Sequence, residues 1–85
     1  MSHVLELFTH PGCISRSMGK KTIDSVLRDF PEISYRELDM IVEQKRTKQL
    51  GISVSPTLVF DEKIIAVGIP ESKTLRQLLE EKMHG

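Results

Sequence analysis

The chain has a single cysteine, no tryptophan and one tyrosine. One thiol cannot close an internal disulfide, which excludes a small secreted fold stapled by disulfide bridges. It also excludes a structural zinc site built on cysteines, and the three histidines, His3, His10 and His84, are spread along the chain without ligand spacing. No metal site is expected. No apolar run approaches the length of a membrane span. The N-terminus, Met1-Ser2-His3-Val4, has no basic stretch followed by a signal-length apolar segment, so a soluble cytoplasmic protein without membrane contact is the expectation. Charge of one sign is not in excess either. Twelve Lys+Arg balance twelve Asp+Glu, which excludes an overall basic field for nucleic acid. Internal repeats, low-complexity tracts and linkers are absent as well.

What is present is ordinary globular usage: 39% hydrophobic and 28% charged residues over 85 positions. That balance argues against disorder and against a fibrous repeat. A chain of this length buries roughly 60–65% of the surface its unfolded form exposes, enough for one core and too little for two. One domain over residues 1–85, acting as a monomer, is expected.

Apolar patterning gives the element order. Val4-Leu5-Glu6-Leu7-Phe8 is a short, mostly apolar run that reads as a buried strand. Thr9-His10-Pro11-Gly12 breaks it. From residue 13 to about 29 the spacing is helical, with Met18, Ile23, Val26, Leu27 and Phe30 near one face. Pro31 ends that helix. Residues 33–38 suit a second strand, on Ile33, Tyr35 and Leu38. Residues 42–50 read as a polar, basic helix stopped by Gly51. Thr57-Leu58-Val59-Phe60 and Ile64-Ile65-Ala66-Val67 flank Asp61-Glu62-Lys63 as a hairpin. Ser72 suits the N-cap of a last helix carrying Leu75, Leu78, Leu79 and Met83 on one face. The order βαβαββα predicts an α/β fold. A right-handed parallel crossover and an antiparallel hairpin would form a mixed four-stranded sheet with helices on both faces.

The chemistry concentrates at the first strand-to-helix turn. Cys13 falls at or just before the first helical turn, where unpaired backbone N–H groups and the helix dipole favour a thiolate. In such a setting a thiol pKa near ~8.5 drops by one to several units. Arg16, three residues on, is a permanent cation within one turn, and His10 adds charge when protonated. The competing reading is an inert cysteine packed as a small hydrophobe; its place after Pro11-Gly12 favours the reactive one. Pro56 has no N–H and belongs at a strand start or edge. Either a trans proline marking that boundary or a cis Ser55–Pro56 bond fits the residues.

On these residues the sequence resembles the thioredoxin/glutaredoxin superfamily over nearly its whole length, in the small glutaredoxin-like version. Thr9-His10-Pro11-Gly12-Cys13 is similar to the family's turn into its nucleophilic cysteine. Gly51-Ile52-Ser53-Val54-Ser55-Pro56-Thr57-Leu58-Val59-Phe60 is similar to the segment in which a cis-proline opens the third strand, and Val67-Gly68 to the glycine corner. The resemblance implies a thioredoxin fold and a thiol–disulfide oxidoreductase. Cys13 and Arg16 would be catalytic, and His10, Pro11, Ser55, Pro56 and Gly68 would contact substrate. No bound cofactor is implied. The partners would be protein or small-molecule disulfides and an external thiol reductant.

The sequence also departs from the family. Its dithiol members carry Cys-x-x-Cys; here Arg16 holds the second position and no resolving thiol exists elsewhere. Reaction is therefore restricted to mixed disulfides resolved by an outside thiol, as in monothiol glutaredoxins, which use glutathione. Against glutathione, His10 stands where a lysine is usual, and Gly68-Ile69-Pro70-Glu71 lacks the second glycine and the following aspartate. Ile14-Ser15-Arg16 does not match the Gly-Phe-Ser of cluster-bridging members. Two alternatives stand beside the oxidoreductase. One is a redox-silent binding module that keeps a peptide groove. The other is an oxyanion enzyme resembling arsenate reductases, which pair a lone cysteine with an arginine.

Three charged features complete the reading. Lys45, Arg46 and Lys48 are expected to form a solvated face rather than a nucleic-acid site, and Lys20-Lys21 likewise. Glu6 interrupts the apolar first strand. It is expected to face a helix edge, the alternative being a partly buried carboxylate acting on the Cys13 proton.

Overall fold

The structure, a computed structural model, describes residues 3–10 and 15–84, with side chains omitted from the description over residues 15–18. Among the described residues the elements run β1 (His3–Thr9), α1 (Ser15–Leu27), β2 (Ile33–Asp39), α2 (Gln44–Leu50), β3 (Thr57–Phe60), β4 (Lys63–Val67) and α3 (Ser72–His84). The strands form one mixed sheet in the order β2-β1-β3-β4. β1 pairs parallel with β2 and antiparallel with β3, and β3 pairs antiparallel with β4. The fold is the α/β arrangement expected from the apolar pattern.

Alternation along the two central strands divides the core in two. Leu5, Leu7, Leu58 and Phe60 point to one face, where Ile23 and Val26 of α1 and Leu75 and Leu79 of α3 cover them. Phe8 and Val59 point to the other face and meet Met40 and Ile52, with Leu38 and Leu50 partly buried around them. Helices thus lie on both faces, α1 and α3 on one and α2 on the other.

Several boundaries differ from the sequence expectation, each for a local reason. α1 stops at Leu27, where the Asp29 and Phe30 amides bond back three residues to Val26 and Leu27 and tighten the last turn. α2 starts at Gln44 rather than 42 because Asp39 Oδ1 accepts from the Ile41 and Val42 amides at 2.8 and 3.3 Å. This side-chain turn competes with the helix for those donors. Gly51 does end α2, at φ 76°, the left-handed conformation glycine adopts without a Cβ penalty. Ser72 is the first residue of α3 rather than its N-cap, and the Leu75 amide bonds to the Glu71 carbonyl at 2.9 Å. Lys63 joins β4, leaving the two-residue turn Asp61-Glu62 with φ of 47° and 71°. Two left-handed residues match the twist of a tight hairpin.

That turn is held from outside. The Asp61 amide donates to the Val4 carbonyl, and Asp61 Oδ1 accepts from the Val4 amide at 2.9 Å. Oδ2 lies 2.5 Å from His3 Nδ1, and the His3 ring stacks on Phe60 at 5.4 Å. Burial pushes the Asp61 carboxyl up, but the His3 hydrogen bond, the Val4 amide and the His3 charge outweigh it and hold the carboxyl below its ordinary value.

Candidate active site

One end of the sheet gathers the functional candidates. The register sets Thr9 beside Asp39, Phe8 beside Thr57 and Thr57 beside Val67. The exit of β1, the exit of β2, the start of β3 and the end of β4 therefore share one edge of the molecule. His10 is exposed there and Ser55, Pro56 and Gly68 are half-buried. The Ser55–Pro56 peptide bond is cis.

Backbone and side-chain ties join these residues. The His10 amide donates to Ser55 Oγ at 3.1 Å. The Gly68 amide donates to the Pro56 carbonyl at 2.7 Å, with Gly68 at φ 83°, a left-handed conformation that suits a residue without Cβ. Thr57 Oγ1 donates to the Val54 carbonyl at 2.5 Å, and the Thr9 carbonyl accepts from the Met40 amide at 2.8 Å. Four of the candidates, His10, Ser55, Pro56 and Gly68, are thus brought together. Arg16 lies in the first turn of α1, but its side chain, like that of Met18, is outside the described set. Pro11 and Cys13 lie outside the described residues.

Exposed apolar side chains rim the same end. Ile41 and Val42 follow β2, Val54 precedes β3 and Val67 closes β4; Val42 is 76% exposed. The Asp39 side-chain turn holds Ile41 and Val42 out of α2. A cavity of about 430 Å³ lined by Phe60, Asp61, Lys63, Glu81 and Lys82 holds none of the candidate residues. It lies at the opposite end, by the β3–β4 turn. Among the described residues no group of three or more His, Cys, Asp or Glu is placed to hold a metal ion, and no helix is long and apolar enough to cross a membrane.

Two features escaped the sequence. The first is the fate of Glu6. It does not face a helix edge: it is 2% exposed, on the α2 face of the central strand. Its carboxylate takes both forks of the Arg46 guanidinium, Nη1 to Oε2 and Nη2 to Oε1. Arg46 Nη2 also donates to Glu62 Oε1 at 2.6 Å, and the guanidinium lies 5.6 Å from the Phe8 ring centre. Arg36 approaches Glu6 at 3.7 Å from an exposed position. The Glu6 hydrogen bonds, together with the Glu6 and Glu62 charges, outweigh desolvation and raise the Arg46 pKa above its already high value. The basic cluster therefore splits. Lys45 and Lys48 are exposed as expected, as are Lys20 and Lys21, whereas Arg46 turns inward and clamps α2 to the sheet. An apolar strand interrupted by one acid and an apolar-poor helix carrying an arginine were the available signals; nothing local joins residues forty apart.

The second is Gly19, buried in the middle of α1. A Cβ there would meet Ile69 Cδ1 at 2.7 Å. Glycine inside a helix costs about 1 kcal/mol relative to alanine, and the close approach of Ile69 accounts for it. Ile69, the residue after Gly68, is thereby seated on α1.

No protein-family model matches the chain. Thioredoxin from Methanocaldococcus jannaschii is 21% identical over 80 residues, covering 93% of this chain and 94% of that protein. The solution structure of reduced desulfothioredoxin from Desulfovibrio vulgaris Hildenborough superposes with a TM-score of 0.80 at 26% identity, over 95% of this chain and 82% of that one. Oxidised mitochondrial thioredoxin 3 from Saccharomyces cerevisiae superposes with a TM-score of 0.77 at 15% identity, over 94% and 78%. In strand order, helix placement and these likenesses, the chain belongs to the thioredoxin/glutaredoxin-like superfamily.

Proposed function

We propose that this chain, as one domain over residues 1–85, is a thiol–disulfide oxidoreductase acting through the single nucleophile Cys13. The observation that carries the reading is the convergence of His10, Ser55, Pro56 and Gly68 at one end of the sheet, with Cys13 three residues beyond His10 in the sequence. The likeness to thioredoxins supports it.

The reaction balances without a second protein thiol. The Cys13 thiolate attacks one sulfur of a substrate disulfide. A bond forms between Cys13 and that sulfur, the substrate S–S bond breaks, and its other half leaves as thiolate. An external thiolate then attacks the substrate sulfur of the mixed disulfide. Cys13 leaves as thiolate and a new disulfide joins the substrate half to the external thiol. With α1 beginning at Ser15, the backbone N–H groups that follow Cys13 in the sequence would favour its anion, with Arg16 adding positive charge. The apolar rim of Ile41, Val42, Val54 and Val67 suits the flanks of a disulfide-bearing protein, and a reducing cytoplasm suits a lone thiol.

The test is adduct formation with hydroxyethyl disulfide, followed by intact mass. The wild-type chain should gain one mixed disulfide on Cys13, faster than an unstructured peptide of residues 10–16, and lose it on adding a thiol. Cys13→Ser should gain none. A rate no greater than the peptide's overturns the reading in favour of a redox-silent binding module, for which the missing second cysteine speaks.

A further inference from the structure

We infer that Ser55 is a positioning residue whose hydroxyl, rather than its backbone alone, fixes where the chain leaves β1 on its way to Cys13. This rests on the proposed role of Cys13.

The β1–β3 ladder runs from Leu5 opposite Phe60 to Phe8 opposite Thr57. Continuing the same register sets Thr9 opposite Pro56 and His10 opposite Ser55. Pro56 faces β4, where its carbonyl accepts from the Gly68 amide, so the position that faces β1 beyond Thr57 is Ser55. The His10 amide is the first donor beyond the strand, and the Ser55 hydroxyl supplies its acceptor at 3.1 Å. One side-chain bond takes over where the backbone ladder ends.

The acceptor is itself anchored. The Val54 carbonyl is held by Thr57 Oγ1, and the Pro56 carbonyl by the Gly68 amide. Residues 54–57 are therefore a fixed reference to which His10 is hooked. Without the hydroxyl the His10 amide, at an exposed position, would turn to water, and the exit direction of β1 would be less restricted. The role requires a hydroxyl at position 55, which threonine supplies and alanine does not.

The experiment compares wild type, Ser55→Ala and Ser55→Thr by two readouts, with thermal midpoints measured for all three. The first is hydrogen exchange of the His10 amide by NMR, which needs no activity. The second is the pH–rate profile of Cys13 with 5,5′-dithiobis(2-nitrobenzoate), read as released thionitrobenzoate. Ser55→Ala should speed His10 exchange and slow the Cys13 reaction at neutral pH by about 2–10-fold, the range set by one hydrogen bond of ordinary net strength. Ser55→Thr should restore both to within about twofold. Unchanged His10 exchange in Ser55→Ala, or a threonine variant no better than alanine, overturns the inference. A wild-type chain whose His10 amide responds as described but whose Cys13 stays inert overturns the proposed function instead.

Discussion

The two faces of the sheet are covered by different physics. Under α1 and α3 the contact is apolar throughout: Leu5, Leu7, Leu58 and Phe60 meet Ile23, Val26, Leu75 and Leu79. Under α2 a smaller apolar cluster around Phe8 and Val59 shares the interface with a buried carboxylate and a guanidinium. α2 is only seven residues long and buries Thr47 alone. Its apolar stripe is too thin to hold it. The Glu6–Arg46 pair attaches what hydrophobic burial does not, and the Glu62 carboxylate extends the clamp to the β3–β4 turn. The comparison teaches that helix periodicity reports only the interfaces made of hydrocarbon. It also separates two kinds of fragility. An apolar interface loses stability in proportion to the atoms removed, whereas an ion pair fails when one partner goes and recovers when both go.

The largest expected effect breaks that comparison directly. Arg46→Ala leaves Glu6 buried without its partner and should cost about 3–5 kcal/mol. Removing both charges, as Glu6→Leu with Arg46→Leu, should recover most of that loss, because the desolvation cost of Glu6 goes with them. Leu79→Ala, on the opposite face, should cost about 2–5 kcal/mol through lost burial and the cavity left. That cost should simply add to a second apolar truncation far from it. Urea denaturation of wild type, Arg46→Ala, the Glu6→Leu/Arg46→Leu variant and Leu79→Ala decides the matter. Additive costs for the charged pair would mean that α2 is held by packing after all.

A smaller effect sharpens the comparison at the far end of the sheet. The folded Asp61 carboxyl lies below its ordinary value, so its contact with His3 and Val4 contributes at neutral pH. That contribution is lost as pH falls through the folded value, below the ~3.9 of an unfolded aspartate. With the Asp61 side chain 41% exposed, solvent screening limits the gain to roughly 0–1 kcal/mol. Asp61→Asn should flatten the acid limb of the stability–pH curve and leave the remainder almost unchanged. Since the Arg46 pKa is raised above a value already beyond the alkaline range, raising pH toward 10 should not release the α2 clamp. An alkaline transition that disappears in Arg46→Ala would contradict this.

Much of the fold was legible because strand and helix periods act locally. Leu5 and Leu7 against Phe8 alternate as a strand must, and Ile23, Val26, Leu75 and Leu79 recur as a helix must. What stayed hidden was set by side-chain hydrogen bonds, one group near in sequence and one distant. Asp39 captured the Ile41 and Val42 amides and shortened α2. Glu6 read as an edge residue because its partner sits forty residues away, inside a cluster whose lysines are solvated. In the candidate site, the boundary position of Pro56, just before β3, was readable from residue type. The hydroxyl of Ser55 was not, because it follows from a ladder register that no local pattern carries.

The central claim is that Cys13 is a poised nucleophile, and its thiol pKa tests this most directly. Thiolate absorbance against pH, in the wild-type chain and with Cys13→Ser as the blank, should titrate below the ~8.5 of a free thiol. Arg16→Ala should move that titration upward. A wild-type thiol that titrates at or above the free value would contradict the account.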